Sequence, residues 1–141
     1  MQKQHFMTRI QSPYITFYDD HEVVEIPKDC TVIEECGFMG AKLKTIILPD
    51  QIVSIGRGAF LGALIENIIL PNGLKEIGDY AFAACLNLKN IFLPKGLEKI
   101  GTGAFLGCAN LETIEIPHSV QSVGTDAFAF CKSIDMNSLR K

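Results

Sequence analysis

Prolines and phenylalanines recur in step along this chain, and that repetition limits its fold more than any other feature. Sliding the sequence against itself aligns Pro27, Pro49, Pro71, Pro94 and Pro117, and the same shift aligns Phe38, Phe60, Phe82, Phe105 and Phe128. Each Phe lies eleven residues after its Pro, and successive units are 22, 22, 23 and 23 residues apart. A fixed period in this range describes a solenoid, whose units bury a continuous core only by stacking on one another.

The repeat divides the chain into units at 24–45, 46–67, 68–90, 91–113 and 114–136. Each opens on a short strand: Val24–Ile26, Ile46–Leu48, Ile68–Leu70, Ile91–Leu93 and Ile114–Ile116. Strand alternation buries the first and third residues and turns the middle one outward. Proline then ends the strand, because it has no N–H for a ladder. A second apolar pair follows, such as Leu97 with Ile100. Next comes Gly56, Gly78, Gly101 or Gly124, read as a turn with φ above zero. Phe and the small residue three positions later, Ala63, Cys85, Cys108 or Cys131, are expected to share the inward side of one helical turn. Asp79, Thr102 and Thr125 stand where that turn would take an N-cap.

Outside the units, residues 1–23 read as an N-terminal β-hairpin cap, with Tyr14–Tyr18 and Glu22–Ile26 as its strands around Asp19, Asp20 and His21. Residues 137–141 read as a C-terminal edge strand whose terminal charges blunt the sheet edge. The whole is expected to be a single domain of α/β solenoid class, mostly β.

Leu88-x-x-Ile91-x-Leu93-Pro94 followed by Ile100-Gly101-x-x-Ala104-Phe105-x-x-Cys108 resembles the BspA-like type of leucine-rich repeat, over roughly residues 24–136. The resemblance implies a right-handed solenoid with a parallel sheet on one face and short strands or helical turns on the other. It also implies bacterial origin, binding of protein or peptide, and a cell-surface or secreted location. Two positions depart from the pattern: Glu34 stands in the glycine place and Gly37 in the alanine place of the first unit.

Composition excludes several classes. A net charge of −3 with no basic cluster gives no footprint for nucleic acid. No apolar run reaches the ~18–20 residues of a membrane span. The N-terminus has no apolar segment of secretory type, so the sequence by itself points to the cytoplasm. There is no Gly-x-Ser-x-Gly elbow and no phosphate loop, and no enzyme, cofactor or metal is expected. Asp19, Asp20, His21 and Glu22 carry metal-capable groups, but neighbours on a hairpin point apart, which favours a solvated turn.

What remains is the outward sheet face. The middle strand positions Glu25, Ile47, Ile69, Phe92 and Glu115 form one row, and Val23, Thr45, Asn67, Asn90 and Thr113 form a second. Ile47, Ile69 and Phe92 are adjacent apolar residues at exposed positions, flanked by Thr45, Asn67, Asn90, Thr113 and Glu115. They are candidate contacts for a protein or peptide partner; the alternatives are β-propensity at a solvated position, or cover by another copy of the chain. Phe38, Phe60, Phe82, Phe105 and Phe128, with Cys85, Cys108 and Cys131, are read as core ladders rather than redox or metal groups. Cys30 and Cys36 fall outside the ladder and are expected to be more exposed, with a bond between them left open.

Overall fold

The computed structural model describes residues 23–134, so most of the N-terminal cap, with its Tyr14–Tyr18 strand, and the C-terminal edge strand lie outside the described residues. Every regular element is a short parallel strand. A three-stranded sheet is built from β1 (Val23–Glu25), β3 (Thr45–Ile47) and β5 (Asn67–Ile69), in the order β1-β3-β5. Its register advances by one unit per strand, pairing Thr45 with Asn67, Ile46 with Ile68 and Ile47 with Ile69. In the next two rungs it narrows to a single parallel bridge between Asn90 and Thr113. The strands run one residue earlier than the pattern predicts. Leu48 still donates its N–H to Ile69 O at 3.1 Å, but Pro49 and Pro71 have no N–H to carry the ladder further.

The second apolar stretch of each unit forms a sheet of its own. Here β2 (Val32–Ile33), β4 (Ser54–Ile55), β6 (Glu76–Ile77), β7 (Lys99–Ile100) and β8 (Ser122–Val123) pair in the order β2-β4-β6-β7-β8. A turn joins the two sheets in every unit, closed by the proline carbonyl: Ile52 N–H donates to Pro49 O at 3.1 Å and Leu97 N–H to Pro94 O at 3.1 Å.

The third side corrects the sequence reading, because no helix occurs among the described residues. The backbone around each Phe visits φ near +60° two residues before it and two residues after it. In successive units these pairs are Cys36 and Gly40, Gly58 and Gly62, Tyr80 and Ala84, Gly103 and Gly107, and Asp126 and Phe130. Left-handed residues alternating with right-handed ones cannot propagate a helical ladder. They split the N–H groups instead. Ala59, Leu61 and Ala63 donate three residues back within their own turns, at 3.2, 3.1 and 2.9 Å. Gly58, Phe60 and Gly62 donate to Asp79, Ala81 and Ala83 of the next unit at 2.9, 2.7 and 2.8 Å. With no helix there is no N-cap, and Asp79 Oδ1 accepts from Thr102 N–H across units at 2.9 Å.

The glycines at 56, 78, 101 and 124 are also not where φ turns positive. They are needed for space. A Cβ on Gly78 would stand 2.8 Å from Ile55 O, and one on Gly101 2.5 Å from Asp79 N. At these points consecutive rungs touch backbone to backbone.

Between the three sides lies one core. Phe38, Phe60, Phe82 and Phe105 are fully buried and Phe128 is 7% exposed. Their rings stack nearly parallel, with centroids 5.1, 5.1, 5.3 and 5.4 Å apart. Cys85, Cys108 and Cys131 form the neighbouring ladder, and each thiol donates to a carbonyl of the preceding unit: Phe60 O at 3.1 Å, Phe82 O at 3.0 Å and Phe105 O at 3.1 Å. Burial pushes the Cys85 thiol up to about 12. Contact with the Cys131 sulfur, then burial, pushes Cys108 up as well. All five cysteines are free thiols. Cys30 corrects an expectation: it is buried, because it occupies the core position that Ile52, Leu74, Leu97 and Val120 fill in the later units.

Candidate binding face

The first sheet presents its outward pleat to solvent. Ile46, Leu48, Ile68, Ile91, Ile114 and Ile116 turn inward and are buried, and the residues between them turn outward. Ile47, Ile69 and Phe92 therefore stand adjacent on consecutive rungs with 41%, 56% and 82% of their surfaces exposed. Phe92 is the most exposed large apolar side chain among the described residues. On the second row Asn67, Asn90 and Thr113 are exposed and Thr45 is half-buried; Glu115 is exposed at the far end of the first row. Thr113 Oγ1 donates to Asn90 Oδ1, which orders the polar row where the sheet has narrowed to one bridge.

Beside this row runs a shallow groove of about 290 Å³, lined by Glu66, Asn67, Asn87, Lys89, Asn90 and Asn110. The sequence reading passed over four of these. Asn87 and Asn110 each follow a ladder cysteine by two residues, and Glu66 and Lys89 each precede a row residue by one, so a shared repeat phase was the available signal. Asn87 Nδ2 donates to Leu64 O at 3.4 Å and Asn110 Nδ2 to Leu86 O at 2.7 Å, so each amide of this pair is held to the preceding rung through its nitrogen.

A second depression of about 280 Å³ follows the close-contact glycines, with Arg57, Glu76, Asp79 and Lys99 at its edge. Its Lys99–Glu76 pair is 3.9 Å apart and solvated on both sides, so it adds little. Among the described residues no three His, Cys, Asp or Glu side chains converge on a point where a metal could sit, and no helix is long and apolar enough to cross a membrane. Asp19, Asp20 and His21 lie outside the described residues.

Residues 12–135 match the family model described as BspA type leucine rich repeat region, in six copies. Among solved structures the fold is similar to a leucine-rich repeat protein of T. pallidum, at TM-score 0.79 and 32% identity over 80% of this chain and 56% of that one. It is similar to a leucine-rich cell surface protein of Faecalibacterium prausnitzii, at TM-score 0.76 and 33% identity over 81% of this chain and 31% of that one. A third similar structure is the pneumococcal vaccine antigen PcpA, at TM-score 0.71 and 27% identity over 81% and 29%. The chain thus spans little more than half of the first of these and about a third of the others. No match was found among curated protein sequences. The chain belongs to the BspA-type leucine-rich-repeat family, whose relatives here are bacterial and whose repeats point to a protein-interaction module.

Proposed function

We propose that this chain is a non-enzymatic protein- or peptide-binding module that works through the outward face of its first sheet. Ile47, Ile69 and Phe92 form the apolar centre, and Thr45, Asn67, Asn90, Thr113 and Glu115 are the polar contacts. The observation that carries the reading is the run of three large apolar side chains on adjacent rungs, exposed at 41%, 56% and 82%. A soluble surface gains nothing from such a run, and contiguous exposed apolar patches mark interaction sites. Its aromatic end and polar rim match the anatomy of protein interfaces, where an anchor is ringed by hydrogen-bonding groups. Leucine-rich-repeat folds are generally non-enzymatic, in keeping with this role.

The architecture that goes with the reading is a right-handed solenoid. Each β1-to-β3 type connection is a parallel crossover, and such crossovers are right-handed in about 98% of cases. A cell-surface location goes with it too, supported by the description of the F. prausnitzii relative as a cell surface protein.

A displayed peptide library panned on the wild-type protein, then counter-screened on Phe92→Asp, tests the function. The expected result is a set of binders that lose the substituted protein while its thermal melt stays unchanged. Binders that fail to distinguish the two proteins would place the binding site elsewhere.

A further inference from the structure

Resting on the reading of the sheet face just given, we infer that its partner is a second copy of this chain, docked face to face about a two-fold axis along the strands. The axis passes between the rung of Asn67–Ile69 and the rung of Asn90–Phe92.

The charges in front of the strands carry the inference. Lys44, Glu66, Lys89 and Glu112 hold equivalent positions on successive rungs, all four are exposed, and their signs alternate. Read backwards, these four positions are their own complement. A two-fold axis along the strands reverses the order of rungs and keeps every residue in its row. It therefore sets Glu66 against the partner's Lys89, and Lys89 against the partner's Glu66. The outer pair, Lys44 with the partner's Glu112, also comes out opposite in sign. A two-fold axis along the stack would carry the charged row to the proline rim, where this complementarity is lost.

The same operation treats the two face rows consistently. Asn67 meets the partner's Asn90, and an amide both donates and accepts, so this pairing suits itself in either sense. Thr45 meets the partner's Thr113. At the axis Ile69 lies against the partner's Phe92, and these are the two most exposed apolar groups of the strip, at 56% and 82%. Ile47 meets the partner's Glu115 at each margin, where the carboxylate stays in water. An isologous interface requires this kind of self-complementary patch.

The face is shaped to allow it. Rungs are linked by backbone hydrogen bonds of 2.7–3.1 Å in the turn layer as well as in the sheets, and the ring stack advances by 5.1–5.4 Å per unit. A parallel sheet advances by about 4.8 Å. The ring stack thus advances by an amount close to that of an ordinary parallel sheet, which suits a face that two copies share along its length. The apolar centre supplies the attraction, and the exposed charges set order and register.

Light scattering after size exclusion, over a range of concentrations at low salt, tests this with Glu66→Lys, Lys89→Glu, their equimolar mixture and the double variant. Wild type is expected to be a dimer that dissociates on dilution. Either single variant alone sets like charges against each other twice and is expected to be at least tenfold weaker. The mixture restores both opposite pairs and is expected to return to dimer mass, as is the double variant. A wild-type monomer at high concentration, single variants as dimeric as wild type, or a mixture that stays monomeric would each overturn the inference. Unchanged circular dichroism melts in all variants keep folding out of the comparison. If wild type is monomeric while library binders still depend on Phe92, only the self-partner fails; if Phe92 is also indifferent, the reading of the face fails with it.

Discussion

Replacing Gly101 by alanine is the most direct trial of how the rungs are held together. The added Cβ would lie 2.5 Å from Asp79 N, 2.5 Å from Asp79 Oδ1 and 2.6 Å from Gly78 C, whereas ordinary contact begins near 3.4 Å. The Asp79 side chain can rotate away, but the two backbone atoms cannot. The rungs must part locally by about 0.9 Å, the difference between 2.5 Å and 3.4 Å. Three bonds cross this contact: Gly101 N–H to Ile77 O at 2.8 Å, Tyr80 N–H to Thr102 O at 2.8 Å and Thr102 N–H to Asp79 Oδ1 at 2.9 Å. Lengthened by that amount they leave hydrogen-bond range. At about 1 kcal/mol each the loss is about 3 kcal/mol, at the upper end of the ~1–3 kcal/mol typical of overpacking.

Two other glycines supply the controls. Gly62 has φ +70° and open space around its missing Cβ, so Gly62→Ala carries only the left-handed backbone penalty of about 1–2 kcal/mol. Gly73 has no positive φ and a nearest contact of 3.5 Å, so Gly73→Ala is expected to be neutral or stabilising by up to ~1 kcal/mol. Urea unfolding monitored by circular dichroism should rank the costs Gly101 above Gly62 above Gly73. A Gly101→Ala protein as stable as Gly62→Ala would show that the backbone contact is not a constraint.

Further outcomes follow from the same geometry. Phe82→Ala removes a ring stacked at 5.1 and 5.3 Å on its neighbours and should cost about 3–5 kcal/mol in a urea titration; a change below about 1 kcal/mol would mean the ladder is not continuous. Ala84 sits at φ 58° on the exposed surface, and Ala84→Gly should stabilise the fold by a net of about 0.5–1 kcal/mol once glycine's entropy is offset, seen as a raised melting temperature. Cys85 has its folded-state pKa raised from 9.0 to about 12, so the folded chain holds the neutral thiol where the unfolded chain loses its proton. Its contribution is whole below pH 9.0 and is lost as pH climbs toward about 12. Cys85→Ala should therefore destabilise less, relative to wild type, at high pH than at pH 8, in paired melts across that window. Alanine already fills the equivalent buried positions 41 and 63, so this substitution is one the fold tolerates.

The inward half of the architecture was legible because its causes repeat. Phe38, Phe60, Phe82 and Phe105 share one phase and one environment, and the alternation Ile46-Ile47-Leu48 fixed which residue of each strand faces water. The turn layer was less legible. An i, i+3 spacing from Phe82 to Cys85 suits a helical turn, but it equally suits alternating left- and right-handed residues, and short periodicity cannot separate them. Glycine misled for a similar reason, since it answers two demands. Positions 58, 62, 103 and 107 are glycine because φ is positive, and Tyr80, Ala84, Asp126 and Phe130 take the same backbone elsewhere at some cost. Positions 56, 78, 101 and 124 admit no other residue because a neighbouring backbone fills the space. Within one chain, then, the glycine phase that other residues enter marks a conformation, and the phase they never enter after the first unit marks a contact.

The same distinction separates stability from recognition on the surface. Inward positions are nearly interchangeable between units, so they say how the rungs stack and carry nothing specific to one rung. Outward positions differ from rung to rung: Thr45, Asn67, Asn90 and Thr113 in one row, Ile47, Ile69, Phe92 and Glu115 in the next, and alternating lysine and glutamate in front. No packing demand imposes that order, because each of these side chains is at least partly in water. A partner can read only what varies. The order in which side chains change along the rungs is therefore where this chain can encode what it binds, and the self-complementary order of its charged row is the basis of the self-pairing proposed above.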